Sequence, residues 1–180
     1  MNMNMLHFIF PSETYEQQAI EYIEEFISCG SEINGSGGLD TYLQNATYRD
    51  WLQKIHSQLD IANIPAGKVP CITYFAVRDA DHRIVGMANI RLGMNDFLRK
   101  EAGQIGYSVR PTERRKHYGT AILQMALDVC RRIGYTETVL TCGHDNSASA
   151  GVIRNCGGIL DMEFFSNTYQ ETLQRYKITL

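Results

Sequence analysis

The chain has 180 residues, 44% hydrophobic and 21% charged, the composition of an ordinary globular protein and not of a disordered or fibrous one. A domain of this length buries about 70% of its unfolded surface, so one domain is expected and its core needs no staples. No apolar run is long enough to span a bilayer, and Met1 to Phe10 carries no Lys or Arg and too few apolar residues for a signal peptide. Cys29, Cys71, Cys130, Cys142 and Cys156 form no CxxC pair and leave an odd count, which argues against a zinc ribbon or a disulfide framework. Reduced thiols, a cytoplasmic location and no bound metal are the expectation. The net charge of -3 hides an asymmetry, because the first 48 residues carry seven acidic side chains and no Lys or Arg. Arg110, Arg114, Arg115 and Lys116 then cluster within seven positions. That favours a bound anion in the second half over nucleic-acid binding by the whole chain.

Leu6 to Phe10 reads as a first strand, stopped by Pro11, with Ser12 able to cap the next segment. Tyr15, Ala19, Tyr22, Ile23, Phe26 and Ile27 recur at helical spacing and predict one buried stripe. Gly30 to Leu39 carries four glycines and is expected to be a mobile loop, long enough for a lid. Tyr48, Trp51, Leu52, Ile55 and Leu59 predict a second amphipathic helix, with Thr47 as its cap. Cys71 to Val77 and Arg83 to Leu92 flank Asp79-Ala80-Asp81-His82 and read as an antiparallel hairpin. Gln104 to Val109 is a further strand ending at Pro111. Gly119, Ile122, Leu123, Ala126, Leu127, Cys130 and Ile133 define the clearest helix, closed by Gly134. Thr138 to Cys142 is a strand, and a short helix capped by Asp145 or Asn146 runs to Asn155. Ile159 to Phe165 and Leu173 to Leu180 are the closing strands. The order predicts an α+β fold with a mixed, mainly antiparallel twisted sheet and helices on both faces.

The chemistry concentrates in Val109 to Ala121, where a strand gives way to a short basic loop and then a helix. Amides at a helix start lack intrahelical acceptors and sit at the positive end of its dipole, so this junction can cradle a pyrophosphate. Arg114 supplies charge there, and Gly119 lets the backbone approach closely. No Walker loop and no GxGxxG pattern is present. A solvated basic loop whose glycine only packs helix on sheet is the alternative.

Val109-Arg110-Pro111, Arg114-Arg115-Lys116 and Tyr118-Gly119-Thr120-Ala121 resemble the acetyl-CoA signature of the GNAT N-acetyltransferase family. Asp145 to Ser149 and Asn155 to Gly158 resemble that family's next helix, and Ile105 to Pro111 is closest to its group of bacterial predicted acetyltransferases. The resemblance implies an acyl-CoA N-acyltransferase-like fold, with two splayed parallel strands forming a cleft for acetyl-CoA. It implies one domain, residues 1–70 giving acceptor-side helices and loop and residues 71–180 the acetyl-CoA-binding core. Tyr107, Ser108 and Val109 would line the pantetheine arm. Arg114, Arg115, Lys116, His117, Tyr118, Gly119 and Thr120 would hold the pyrophosphate, and Asn146 and Ser149 would meet pantetheine or orient the cleft wall. His117 stands where the family motif has Gly. The activity implied is transfer of acetyl from acetyl-CoA to an amine of a small molecule, peptide or protein. No nucleic acid, membrane or metal is implied, and a homodimer stays open.

Transfer needs a neutral amine, a donor for the developing oxyanion and a proton or donor for the leaving thiolate. The family often places a Tyr seven residues after its Asn, but that position here is Ile153. His144 and Tyr107 are therefore the candidate catalytic groups, with Cys142, Ser108 and Asp145 as neighbours. A catalytically silent acyl-CoA-binding module is the alternative from another class. RNA binding through Arg110 to Lys116 lacks an aromatic stacking platform.

Overall fold

The computed structural model describes residues 5–180; residues 1–4, the start of the stretch weighed as a signal peptide, lie outside it. In chain order the elements are β1 (Leu6–Ile9), α1 (Glu16–Ser28), α2 (Leu39–Tyr42), α3 (Tyr48–Ser57), β2 (Cys71–Arg78), β3 (Arg83–Arg91), β4 (Ile105–Val109), α4 (Tyr118–Arg132), β5 (Glu137–Gly143), α5 (Ser147–Asn155), β6 (Ile159–Ser166) and β7 (Glu171–Thr179). Among the described residues no helix is long and apolar enough to cross a membrane.

The strands form two sheets, ordered β1-β2-β3-β4 and β5-β7-β6, and every ladder among them is antiparallel. The α+β class and the antiparallel bias are as read from the sequence, but the single mixed sheet is split in two. The sheets meet at the root of β4 and β5, where the Gln104 N–H donates to the Val139 carbonyl at 2.7 Å. Gly103 makes the close approach there. Its φ is +66°, and a Cβ would lie 2.8 Å from the Val139 oxygen. Beyond that bond β4 and β5 diverge without a ladder.

The first sheet is covered on both faces. One face presents Phe75, Val77 and Met87 to Ala19, Tyr22, Ile23 and Phe26 of α1 and to Tyr48, Trp51, Leu52 and Ile55 of α3. Ile27, expected in the α1 stripe, is exposed because one further residue rotates it about 100° away from Phe26. Leu59 lies past the end of α3 and is exposed too. Thr47 caps α3 as expected: it accepts from the Asp50 N–H, and the Asp50 carboxylate accepts from the Thr47 N–H. Such a capping box contributes about 1 kcal/mol. The opposite face, with Ala88, Ile90 and Ile105, packs on α4, while α5 closes the core against β5 and β7.

The glycine-rich loop is not a mobile lid. Ser36 and Leu39 are buried, and the Gly37 carbonyl accepts from Trp51 Nε1 at 3.2 Å and Lys54 Nζ at 3.1 Å. Gly35 lies directly on the backbone of β4 at Gly106 and Tyr107. Four glycines read as freedom in the sequence; here three of them, Gly35, Gly37 and Gly38, permit close contact.

Candidate active site

The gap between β4 and β5 follows from the hydrogen-bond alternation of β4. The Arg91 N–H donates to the Gln104 carbonyl at 2.9 Å, and the Arg110 N–H donates to the Val85 carbonyl at 2.8 Å. In an antiparallel ladder the intervening residues alternate, so Gly106 and Ser108 face β3 while Ile105, Tyr107 and Val109 turn their backbone groups toward the gap. An extended arm can therefore pair with Tyr107 and Val109 as an added strand. Ser108 is not free to do so. Its hydroxyl hydrogen-bonds the buried Tyr22 hydroxyl at 3.0 Å on the α1 face.

The basic cluster is largely occupied inside the protein. Arg110 is buried, donating to the Ile84 and Gln18 carbonyls and to Glu25 at 3.1 Å. Arg114 lies over the Phe26 ring, 5.3 Å from its centroid, and donates to Ser31 Oγ and the Val109 carbonyl. Lys116 and Arg78 both hold the buried Glu113, at 2.8 and 2.9 Å. Burial pushes the Glu113 pKa up, but these cations outweigh it and keep the carboxyl below its ordinary range. Tyr118 is buried, its hydroxyl accepting from Arg78. Arg115 is exposed, and its guanidinium makes no ion pair among the described residues.

Amides, more than side-chain charges, remain to receive an anion. Arg115 and His117 both adopt left-handed backbone, with φ of +61° and +63°. His117 thus takes the conformation a glycine takes easily, and no side-chain hydrogen bond caps α4 there. The first helical bond runs from the Ala121 N–H to the His117 carbonyl at 3.2 Å, which leaves the Gly119 and Thr120 amides without an acceptor in the helix. Alternating left- and right-handed residues before a helix start form a concave nest of N–H groups. Gly119 serves packing. A Cβ on it would point at Val152 Cγ2, 3.1 Å away, and at Val109. The missing side chain thus allows α4 to lie close to α5 and β4, the packing role that the sequence offered as the alternative.

Across the gap, the Tyr107 hydroxyl and Ser149 Oγ are 3.2 Å apart. Asn146 caps α5, accepting from the Ser149 N–H at 3.0 Å, so it shapes the wall that carries Ser149. Burial pushes the Tyr107 pKa up to about 12, with the Ser149 hydrogen bond acting against it. The phenol is therefore protonated at every physiological pH. Ile153 is fully buried between α4 and β5 and fills the position of the family's usual Tyr with core.

The acetyltransferase (GNAT) family matches residues 40–157. The chain belongs to this family. Solved acetyltransferases share its fold over nearly the whole chain, at identities that speak to fold alone. RimL, a ribosomal L7/L12 alpha-N-protein acetyltransferase in complex with coenzyme A, superposes with a TM-score of 0.69 at 14% identity, covering 97% of this chain and 94% of that one. The ribosomal-protein-S5-alanine acetyltransferase of Vibrio fischeri gives 0.67 at 15%, covering 99% and 94%. The microcin C7 self-immunity acetyltransferase MccE, in complex with acetyl-CoA and AMP, gives 0.68 at 15%, covering 100% and 98%. A comparison with curated proteins finds no match.

In this acetyltransferase His144 does not reach the cleft. Its ring bonds Glu163 on β6 at 2.8 Å, and β6 is the edge strand farthest from β4. The hydrogen bond to Glu163, then its charge, raises the His144 pKa. His144→Ala should leave turnover within about twofold of wild type, against the hundredfold or larger loss expected on removing a direct proton donor; steady-state thiol release measures it. Glu171 is a residue that sequence reasoning misses. Its carboxylate lies directly over Gly143 at the end of β5 and accepts no hydrogen bond from the described residues. No local motif marks it, since only the return of β7 beside β5 brings it there.

Proposed function

We propose that the chain moves an acetyl group from acetyl-CoA to an amine, with the cofactor's pantetheine arm in the β4–β5 gap and its pyrophosphate on the amides from Arg115 to Thr120. The observation that carries this is the divergence of β4 from β5, with the Tyr107 hydroxyl reaching Ser149 across the opening. Neighbouring structures that hold coenzyme A or acetyl-CoA support the reading. Residues 71–180 form the acetyl-CoA core and residues 5–70 the acceptor side of one cytoplasmic domain, which works without a metal.

Chemistry then divides between two groups. Glu171 takes the proton that the attacking nitrogen must lose as its bond to the acetyl carbon forms. Tyr107 donates a hydrogen bond to the sulfur as the carbon–sulfur bond breaks. A phenol raised to about 12 holds its proton more tightly than a thiol of pKa about 8.5. Tyr107 therefore stabilises the departing thiolate by hydrogen bonding and keeps its own proton.

Thiol release from acetyl-CoA across a panel of amines, alongside calorimetric titration with coenzyme A, tests the proposal. Glu171→Gln should lower kcat/KM by about a hundredfold at neutral pH. The deficit should shrink as pH rises toward the amine's own pKa, because the nucleophile then arrives deprotonated. A deficit independent of pH would remove Glu171 as the base. Tight binding with no thiol release on any amine would instead indicate a silent acyl-CoA-binding module.

A further inference from the structure

Among the described residues, the buried side-chain polar atoms without a partner are Arg83 Nε, Arg91 Nη1 and Thr138 Oγ1. Arg83 is compensated, since Glu25 and Glu113 lie 3.9 and 3.8 Å from its guanidinium. Arg91 has no such relief. None of its side-chain nitrogens donates to any acceptor, and no carboxylate lies within ion-pair distance among the described residues. Desolvation lowers its pKa, and neither of the neighbours that register its charge, Cys71 and Tyr169, is a carboxylate. An arginine nonetheless keeps its proton. Arg91 is half-buried: Nη1 is sealed from water with no acceptor in reach, while the other guanidinium nitrogens stay open to solvent, where an anion can meet them.

The position of Arg91 says what kind of partner. Arg91 ends β3, and its N–H donates to Gln104, the residue whose own N–H ties β4 to β5 at the root of the gap. Its side chain lies on the face that presents Thr73 and Asn89, the α1 and α3 side, opposite the face of Tyr107. A Cβ on Gly106 would come within 3.4 Å of Arg91 Nη1 and 3.2 Å of the Gly35 nitrogen, so the guanidinium lies where the glycine-rich loop seats on β4. Phe97 and Tyr169, 6.4 Å apart and half-exposed, flank this side with apolar surface.

We propose that Arg91 recognises an anion on the acceptor, and that the acceptor is an amine carrying a carboxylate. The proposal rests on the assignment of the β4–β5 gap to acetyl transfer and adds the substrate class. A planar guanidinium matches a carboxylate in shape and charge, and desolvation makes the pairing strong. The exposed acidic residues of α1 repel a purely anionic molecule, whereas an amine with its own carboxylate suits both surroundings.

Matched amine pairs test this: amino acids against their carboxamides, and peptides with Asp or Glu against Asn or Gln in the first two positions. Each is titrated calorimetrically into the coenzyme A-loaded protein, and thiol release from acetyl-CoA is followed separately. Wild type should favour at least one carboxylate member by about tenfold or more, the size of a lost charged hydrogen bond. Arg91→Met and Arg91→Gln should lose that preference, leave the carboxamide members unchanged, and melt no lower than wild type, because the sealed and unpaired Nη1 is gone. Equal binding of both members by wild type, or a preference that survives in the variants, overturns the proposal. Preferential binding without thiol release would uphold Arg91 while overturning the transferase reading. Thiol release with no preference would do the reverse.

Discussion

Tyr107→Phe should lower kcat by about two to three orders of magnitude while leaving the affinity for coenzyme A within a fewfold, the size expected for losing one donor to developing negative charge. The substitution removes only the oxygen, so β4 keeps its register with β3 and the backbone groups that face the gap. The ring stays packed between the α4 cores. Ser149 loses a partner 3.2 Å away, but its N–H remains tied to Asn146 and α5 keeps its cap. A loss confined to affinity would make Tyr107 a binding residue. The pH profile separates the two roles further. Because the Tyr107 pKa is near 12, the wild-type rate should show no limb from this phenol between pH 6 and about pH 10. Any acidic limb then belongs to the base, and Tyr107→Phe should leave that limb in place.

The strand and helix order was legible because each element carries its own period. Phe75 and Val77 alternate on β2, and Ile122, Leu123, Ala126 and Leu127 recur on α4. The basic loop before α4 was legible as a local sequence, and in it His117 takes φ +63°, a conformation that glycine adopts easily. What stayed hidden depends on tertiary partners. The basic cluster looked available to an anion, yet Arg110 is spent on Glu25 of α1 and Lys116 on Glu113. Glu25 precedes Arg110 by 85 residues, and no local window shows that pairing. His144 follows a strand end, as a catalytic residue often does, but its direction is set by Glu163 two strands away. Arg91 is unremarkable in sequence. Its significance lies in what the fold fails to place beside it.

Gly35→Ala should destabilise the protein by about 3 kcal/mol or more, because two independent costs fall on one atom. The first is local. The φ of Gly35 is +79°, a left-handed conformation that costs a residue with a Cβ roughly 1 kcal/mol. The second is contact. The new Cβ would stand 2.5 Å from the Gly106 carbonyl oxygen and 2.7 Å from Tyr107 Cα. Both atoms belong to β4, which is fixed on its other side by the ladder to β3. Strand backbone does not yield as a side chain would, so the loop must lift instead. Lifting it disturbs Gly37, whose carbonyl holds Trp51 and Lys54, and exposes part of the core around Trp51. At roughly 2–4 °C per kcal/mol for a chain of this size, the melting temperature should fall by roughly 6–12 °C or more. Gly30→Ala is the internal control. It also has left-handed backbone, φ +58°, but nothing lies within 4 Å of its Cβ position. Its cost should be the conformational part alone, about 1 kcal/mol. Equal losses in the two variants would mean that the loop does not bear on β4. A much larger loss at Gly35, accompanied by reduced turnover at temperatures where the variant remains folded, would tie the loop's seat on Gly106 to the placement of Tyr107 in the next residue.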